Sequence, residues 1–339
     1  MQIRYPRPLQ PGDRIGVTAP SAGVAPRHWA RLEFCVQWLR DRGFDVVVGD
    51  CIEATSHVSA PKQQRAHELQ AMLTDPSIAA VIPPWGGAGT THDLVDLLDY
   101  DAIAAAEPTW CVGFSDTSTW LLPLTLRTGM ATIHGQNLMD TPYDSPAGIL
   151  PWWQVAAGPS SFTQYSPGRY RTHFDPWETD PAITDFPLPK AGRWRMLRGG
   201  DRIEVSGRLI GGCIETVGLL AGTTYGDVRT FGRNFEGGLL VYVEAADEEA
   251  FTICRSLHAM RLAGWFDHAN AILVGRTSAP ASGGFTQQDA VLDAVGDLGV
   301  PVIMDMDFGH VPPYLCFVNG AVGHVVVGGD RQEITQTFR

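Results

Sequence analysis

Three residues of different chemical type fall directly after stretches that read as buried strands. Ser115 follows the apolar run 111–114, within Gly113-Phe114-Ser115-Asp116. Glu244 closes Leu239-Leu240-Val241-Tyr242-Val243, and His310 lies just past the run 302–304, within Asp307-Phe308-Gly309-His310. In a parallel sheet, ligands gather at the carboxyl ends of the strands. A hydroxyl, a carboxylate and an imidazole meeting there supply a nucleophile, an orienting acid and a general base, the set that acyl transfer needs. A serine between a strand and a helix sits on a sharp turn with its Oγ exposed, as in a nucleophile elbow, although Asp116-Thr117 stands where an elbow has Xaa-Gly. Ser115 or Asp116 would equally serve as a cap for the helix that follows.

Other residues fit around such a site. Trp85-Gly86-Gly87-Ala88-Gly89-Thr90 lies between a strand and a helical stretch. Consecutive glycines let the backbone approach a ligand and aim N–H groups at an anion. No Lys-Ser/Thr pair follows, so a P-loop is disfavoured. The N–H groups of Gly87 and Asp116 are then candidate donors to a tetrahedral oxyanion; a plain turn is the other reading. Cys213 follows Gly211-Gly212 and opens a helix, where a thiolate would be stabilised, so a Cys213–His310 hydrolase is a rival. His92 and Asp93 lack a third ligand at metal spacing and read as helix surface.

The elements that must carry these residues alternate. Strands are predicted at 14–18, 45–48, 79–82, 111–114 and 130–133, with helices over 27–42, 61–73, 91–98 and 117–128. Pro61 suits a first helical turn. Such alternation implies a parallel sheet with helices on both faces. From 140 to 200 the pattern dissolves into Pro, Trp, Asp and Ser, as in a crossover between domains. The expected domains are 1–165, with the nucleophile, and 166–339, with the crossover loop 166–200 and the Glu and His. Beyond the loop the spacing predicts a strand over 204–210, a turn at Gly211-Gly212 and a helix from 213. A strand at 238–244 and a helix at 247–261 with acidic residues in its first turn follow. Strands at 271–274 and 302–304 flank a helix at 287–295, and 321–327 is the last strand.

Composition narrows the class of partner. The 339 residues suggest about two domains, and 44% hydrophobic with 18% charged residues is ordinary for a globular protein. A net charge of −12 argues against a nucleic-acid polymer or an anionic membrane as partner. The six cysteines form no C-x-x-C pair, which disfavours a zinc knuckle or dithiol motif. Residues 1–11 hold no apolar signal core, and no apolar run is long enough to span a bilayer. The expectation is a reduced, cytoplasmic protein whose cysteines are mostly buried hydrophobes.

Taken together, these residues resemble the serine peptidase family of LD-carboxypeptidases and microcin C self-immunity proteins. The resemblance runs from Pro11-Gly12-Asp13-Arg14-Ile15-Gly16-Val17-Thr18-Ala19-Pro20-Ser21 through Trp85-Gly86-Gly87, Leu98-Asp99-Tyr100 and Gly113-Phe114-Ser115-Asp116-Thr117. It continues with His134-Gly135, Leu209-Ile210-Gly211-Gly212, Glu244 and Gly309-His310. It implies an N-terminal flavodoxin-like domain, a C-terminal mixed α/β domain and a site in the crevice between them. It further implies a Ser115–Glu244–His310 triad, oxyanion donors at Gly87 and Asp116, no metal or organic cofactor, and a cytoplasmic homodimer that hydrolyses an amide through an acyl-enzyme. Two positions depart from the family pattern: Ala88 where members often have an aromatic residue, and Cys213 where many have Asn. With Trp85 and Gly86 they line the expected substrate cleft.

Two branches of the family differ in substrate. One removes the terminal D-alanine of a cytoplasmic muropeptide; the other cuts an amide between an aspartate-type acyl group and a nucleotide. Pro176-Trp177-Glu178 and Gly192-Arg193-Trp194 look similar to a tryptophan-bearing loop of the immunity branch. Trp194 is the indole expected to stack on a nucleobase, though Trp152, Trp153, Trp177 and Trp194 would also serve to anchor a long loop. The expected substrate is a small peptidyl- or aspartyl-nucleotide, with muropeptide cleavage as the alternative. An alternative of another class is a non-catalytic protein that holds a small anion on its glycine turns.

Overall fold

The computed structural model describes residues 1–87, 91–173 and 175–339. Its first sheet grows from β1 (Arg14–Val17), β2 (Asp45–Val48), β3 (Ile78–Ile82), β4 (Trp110–Gly113) and β5 (Thr132–His134). All neighbours among these five pair in parallel, in the order β5-β4-β3-β1-β2. Between them run α1 (Trp29–Arg40), α2 (Lys62–Thr74), α3 (Tyr100–Ala105) and α4 (Ser118–Thr128). Every residue of β4 is buried, as an apolar run covered on both faces requires. The α/β alternation read from the sequence is therefore present. The stretch 91–98 forms two short 3-10 turns, Thr91–Asp93 and Val95–Leu97, rather than one helix, and α3 carried no sequence signal.

Residues 140–200 are less irregular than their composition suggests. They hold α5 (Trp152–Ala157), β6 (Ser161–Tyr165), the small ribbon of β7 (Arg169–Tyr170) with β8 (Lys190–Ala191), and β9 (Arg195–Arg198). The rest of the chain supplies β10 (Ile203–Cys213), α6 (Ile214–Leu220), α7 (Val228–Arg233), β11 (Leu239–Glu244), α8 (Ala250–Leu262) and β12 (Ala269–Gly275). It ends with α9 (Gln287–Val295), β13 (Val302–Met306), β14 (Phe317–Asn319), β15 (Val322–Gly328) and β16 (Arg331–Thr337). The second sheet has the order β6-β16-β15-β10-β11-β12-β13-β9. Its centre, β10 to β13, is parallel and its flanks are antiparallel.

Each sheet borrows from the other half of the chain. β14 pairs antiparallel with β5, setting Phe317 opposite His134. β6, which precedes the expected boundary at 165/166, pairs with β16 in the second sheet. Neither β14 nor β16 was anticipated, because short or polar strands at a sheet edge lack strong apolar alternation. Two further readings are corrected. Gly211-Gly212 is not a turn but the end of β10, where a Cβ on Gly211 would lie 1.7 Å from the carbonyl oxygen of Tyr242 in β11. The helix expected from 247 starts at Ala250, so Asp247, Glu248 and Glu249 precede it. Helix α4 packs against β5 of the first sheet and against α6 and β10 of the second half, and so binds the halves together. No helix is long and apolar enough to cross a membrane among the described residues.

Candidate active site

Ser115 follows the carboxyl end of β4, and Glu244 closes β11. Gly113 leaves β4 at φ 147 and the chain turns sharply, with Ser115 at φ 65, into the 3-10 turn Ser115–Thr117 that leads to α4. A left-handed serine is a strained conformation, and such strain persists where its surroundings over-determine it. Several contacts do so here. Asn137 Oδ1 accepts from the N–H of Phe114 and from Thr117 Oγ1, both at 3.3 Å. The carboxylate of Asp116 accepts from the Thr91 N–H at 3.0 Å and from the Thr119 hydroxyl at 3.1 Å. Thr216 Oγ1 of α6 donates to the Ser115 carbonyl at 3.4 Å. The glycine turn lies against this corner: a Cβ on Gly86 would meet Asp116 N and Ser115 Cβ, each at 2.7 Å. Gly87, at φ 94, is exposed beside it. Ala88 lies outside the described residues.

On the second sheet, Glu244 ends β11 with its side chain fully buried. His310 Nδ1 lies 2.7 Å from Glu244 Oε2. Gly275 and Gly309 make room for the carboxylate: a Cβ on Gly309, at φ 90, would stand 2.6 Å from Glu244 Oε2, and one on Gly275 2.6 Å from Glu244 Cβ. Burial would raise the Glu244 carboxyl, but the facing charge and hydrogen bond of His310 hold it below the usual carboxylate range. Burial would lower His310, yet Glu244 holds its imidazole above the ordinary value. Phe114, next to Ser115, packs edge-on against the His310 ring with centroids 4.9 Å apart. The pair on the second sheet thus meets the corner of the first.

Ser115, Asp116, Gly87 and Cys213 share a cleft of about 450 Å³ with His92, Glu215, Thr216 and Asp247. Cys213 is buried, and its thiol donates to Glu215 Oε2 at 3.2 Å. Burial, with the charges of Glu244 and Glu215, pushes that thiol well above its ordinary value. The helix start does not make it a thiolate, because desolvation and two carboxylates outweigh the helix end. Glu215 was missed in the sequence. Its Oε1 accepts from the N–H groups of Ala246, Asp247 and Glu248 at 2.7, 3.2 and 3.3 Å and so shapes the rim after Glu244. Asn137 was missed too, although it follows His134-Gly135 closely. His92 bonds the Thr216 carbonyl at 2.9 Å, and Asp93 pairs with Arg65 at 2.7 Å.

Trp194 does not present its indole to this cleft. It is 4% exposed and its Nε1 donates to the buried Asp307 at 2.8 Å. A tryptophan buries most apolar area when its one N–H finds a carboxylate inside, and that is what happens here. Partly exposed aromatic surface lies instead on Trp85 and Trp177, each of which meets His28 edge-on, at 5.4 and 6.4 Å between centroids. Trp85 anchors on the Ala22 carbonyl at 3.1 Å and Trp177 on the Tyr143 hydroxyl at 2.7 Å.

Comparison with known proteins fits this arrangement. The LD-carboxypeptidase N-terminal domain matches residues 15–135, and the LD-carboxypeptidase C-terminal domain matches residues 206–325. A putative carboxypeptidase of Streptomyces coelicolor is 31% identical over 91% of this chain and 89% of that protein. The microcin C7 self-immunity protein MccF of Escherichia coli is 25% identical over 91% of this chain and 89% of that protein. A solved structure of MccF in complex with glutamyl sulfamoyl guanosine superposes with a TM-score of 0.82 at 22% identity, covering 98% of both chains. The two-domain α/β fold is shared with that protein, and the chain belongs to the LD-carboxypeptidase family of serine-type carboxypeptidases.

Proposed function

We propose that the chain hydrolyses an amide of a small peptidyl- or aspartyl-nucleotide through a Ser115–His310–Glu244 triad. The observation that carries the chemistry is the 2.7 Å contact between His310 Nδ1 and the buried Glu244 carboxylate, with the His310 ring packed on Phe114, the residue before the left-handed Ser115. Glu244 keeps the proton on His310 Nδ1, which leaves Nε2 free as a base. His310 Nε2 takes the Ser115 proton as Oγ attacks the carbonyl carbon. The oxyanion forms toward the N–H groups of Gly87 and Asp116; losing such a donor costs about 3–4 kcal/mol. The imidazolium then protonates the leaving nitrogen, the C–N bond breaks and an acyl-Ser115 remains. Water, deprotonated by His310, attacks the ester and returns the serine.

The nucleotide half of this reading rests on the aromatic wall of Trp85, His28 and Trp177 beside the Gly86-Gly87 turn. Stacking on such rings is worth about 1–3 kcal/mol per base. A side-by-side assay on aspartyl sulfamoyl adenosine and an L,D-linked muropeptide tetrapeptide tests it. Release of the nucleoside moiety is expected; cleavage of the muropeptide alone would replace the substrate by the family's alternative. Ser115→Ala is expected to abolish turnover while keeping affinity, and a hydrolysing Ser115→Ala protein would sink the serine mechanism.

A further inference from the structure

Glu244 has two carboxylate oxygens, and the triad uses one. Oε2 meets His310, while Oε1 is buried without a hydrogen-bond partner. Across from it, His134 Nε2 is also buried without a partner, 3.9 Å away. Leaving a buried donor or acceptor unpaired forfeits its solvation with nothing in return, so two orphans facing one another need a reason. The gap is too short for a bridging water, whose two bent hydrogen bonds span about 4.5 Å between the groups it joins. It is one small side-chain adjustment longer than a direct bond. The walls around His134 offer little else: Phe114, Phe308 and the ring of Tyr242 surround the imidazole, with centroids at 6.3, 6.2 and 5.3 Å. The Tyr242 hydroxyl is already committed to Asn319.

We propose that His134 is a positioning residue of the triad, its Nε2–H serving as the donor for Glu244 Oε1, so that the carboxylate is gripped by one histidine from each sheet. This rests on the triad reading above. His134 ends β5, which lies beside β4 in the first sheet and pairs Gly113 with His134. Glu244 ends β11 in the second. The contact therefore aligns the nucleophile's sheet with the base's carboxylate. A neutral imidazole is the form that can do this while leaving Glu244 its charge for His310. Burial pushes His134 down to about 4, against the pull of Glu244, so the ring is uncharged at neutral pH. The ionisable groups facing it are Glu244, His310 and Tyr242. A second donor on Glu244 makes the carboxylate less basic, which restrains how far it raises His310.

The experiment is nitrogen NMR of the full chain labelled in histidine, followed by two variants. At pH 7 the His134 ring should be neutral and protonated on Nε2; an Nδ1-protonated ring or an imidazolium overturns the proposal. His134→Phe should move the His310 titration, and with it the acidic limb of kcat/KM, to higher pH. It should lower kcat roughly tenfold or more, the scale of an outer orienting contact, with little change in KM. His134→Gln, whose amide nitrogen can reach the same oxygen, should restore most of both. An unmoved His310 titration in His134→Phe, or equal losses in both variants with a raised KM, means plain packing and overturns the proposal. Failure of the triad reads out separately, as turnover by Ser115→Ala.

Discussion

On the first sheet, Ser115 is prepared by backbone. Its corner is built from a left-handed φ, the close approach of Gly86, hydrogen bonds accepted by Asn137 Oδ1 and the Asp116 carboxylate, and one donated by Thr216. On the second sheet, Glu244 and His310 are prepared by charge. A fully buried carboxylate and a partly buried imidazole hold each other's protonation away from ordinary values. The first arrangement is intolerant of added atoms. The second is as tightly packed around Glu244 and depends in addition on both charges. A nucleophile needs position, whereas a base needs position and the right proton, and in the proposed triad the two sheets divide the task accordingly.

Glu244→Gln breaks the comparison most severely. A glutamine amide cannot favour the Nδ1-protonated tautomer, and kcat should fall by about 10⁴-fold with the fold intact. Steady-state kinetics with a thermal melt checks both halves. Two added methyl groups should then separate the sheets. Gly86→Ala places a Cβ 2.7 Å from Asp116 N and Ser115 Cβ, and Gly309→Ala places one 2.6 Å from Glu244 Oε2. Displacements of this size should each cost about 10²-fold in kcat/KM. Only Gly309→Ala should move the acidic limb of the pH profile. In the unsubstituted protein that limb should lie above the roughly 6.5 of a free imidazole, since His310 is raised and must lose its proton to act.

A smaller effect concerns stability. His134 is lowered to about 4 from 6.5, so the unfolded chain takes up a proton first and stability drains as pH falls across that window. Asp140 is raised by burial to about 6 from 3.8, so stability is gained as pH falls across nearly the same window. Each amounts to something on the order of 3 kcal/mol, and they offset. Relative to the unsubstituted protein, His134→Phe should gain stability on acidification from pH 6.5 to 4, and Asp140→Asn should lose it; denaturant titrations at both pH values read the sign. The smallest effect is expected from Trp177→Ala, a several-fold rise in KM for the aspartyl nucleotide with kcat unchanged, about 1 kcal/mol of lost stacking.

Much of this was legible in the residues themselves. The apolar runs ending in Ser115 and Glu244 are strands with those residues at their carboxyl ends, because strand periodicity is a local property. Helices α1 and α9 also follow their spacing closely, and α2 begins after Pro61 as its first-turn proline suggests. The helix expected from 247 starts three residues late for a reason outside its own sequence: the Glu215 carboxylate, more than thirty residues earlier, binds the N–H groups of Ala246 to Glu248 and holds them as a loop.

By itself, the sequence determined the kinds of groups present, the alternating α/β order, and the strand ends where a hydroxyl, a carboxylate and an imidazole stand. Only the tertiary structure decided which groups face one another. It carried β14 back to β5, buried Trp194 on Asp307, turned Cys213 toward a carboxylate and set His134 opposite Glu244. Apart from Cys213 and Glu215, which are two residues apart, these are contacts between residues far apart in the chain, and local periodicity carries no information about them. Burial and the charge of a distant neighbour then set the protonation that the chemistry needs, and both exist only once the two sheets have packed.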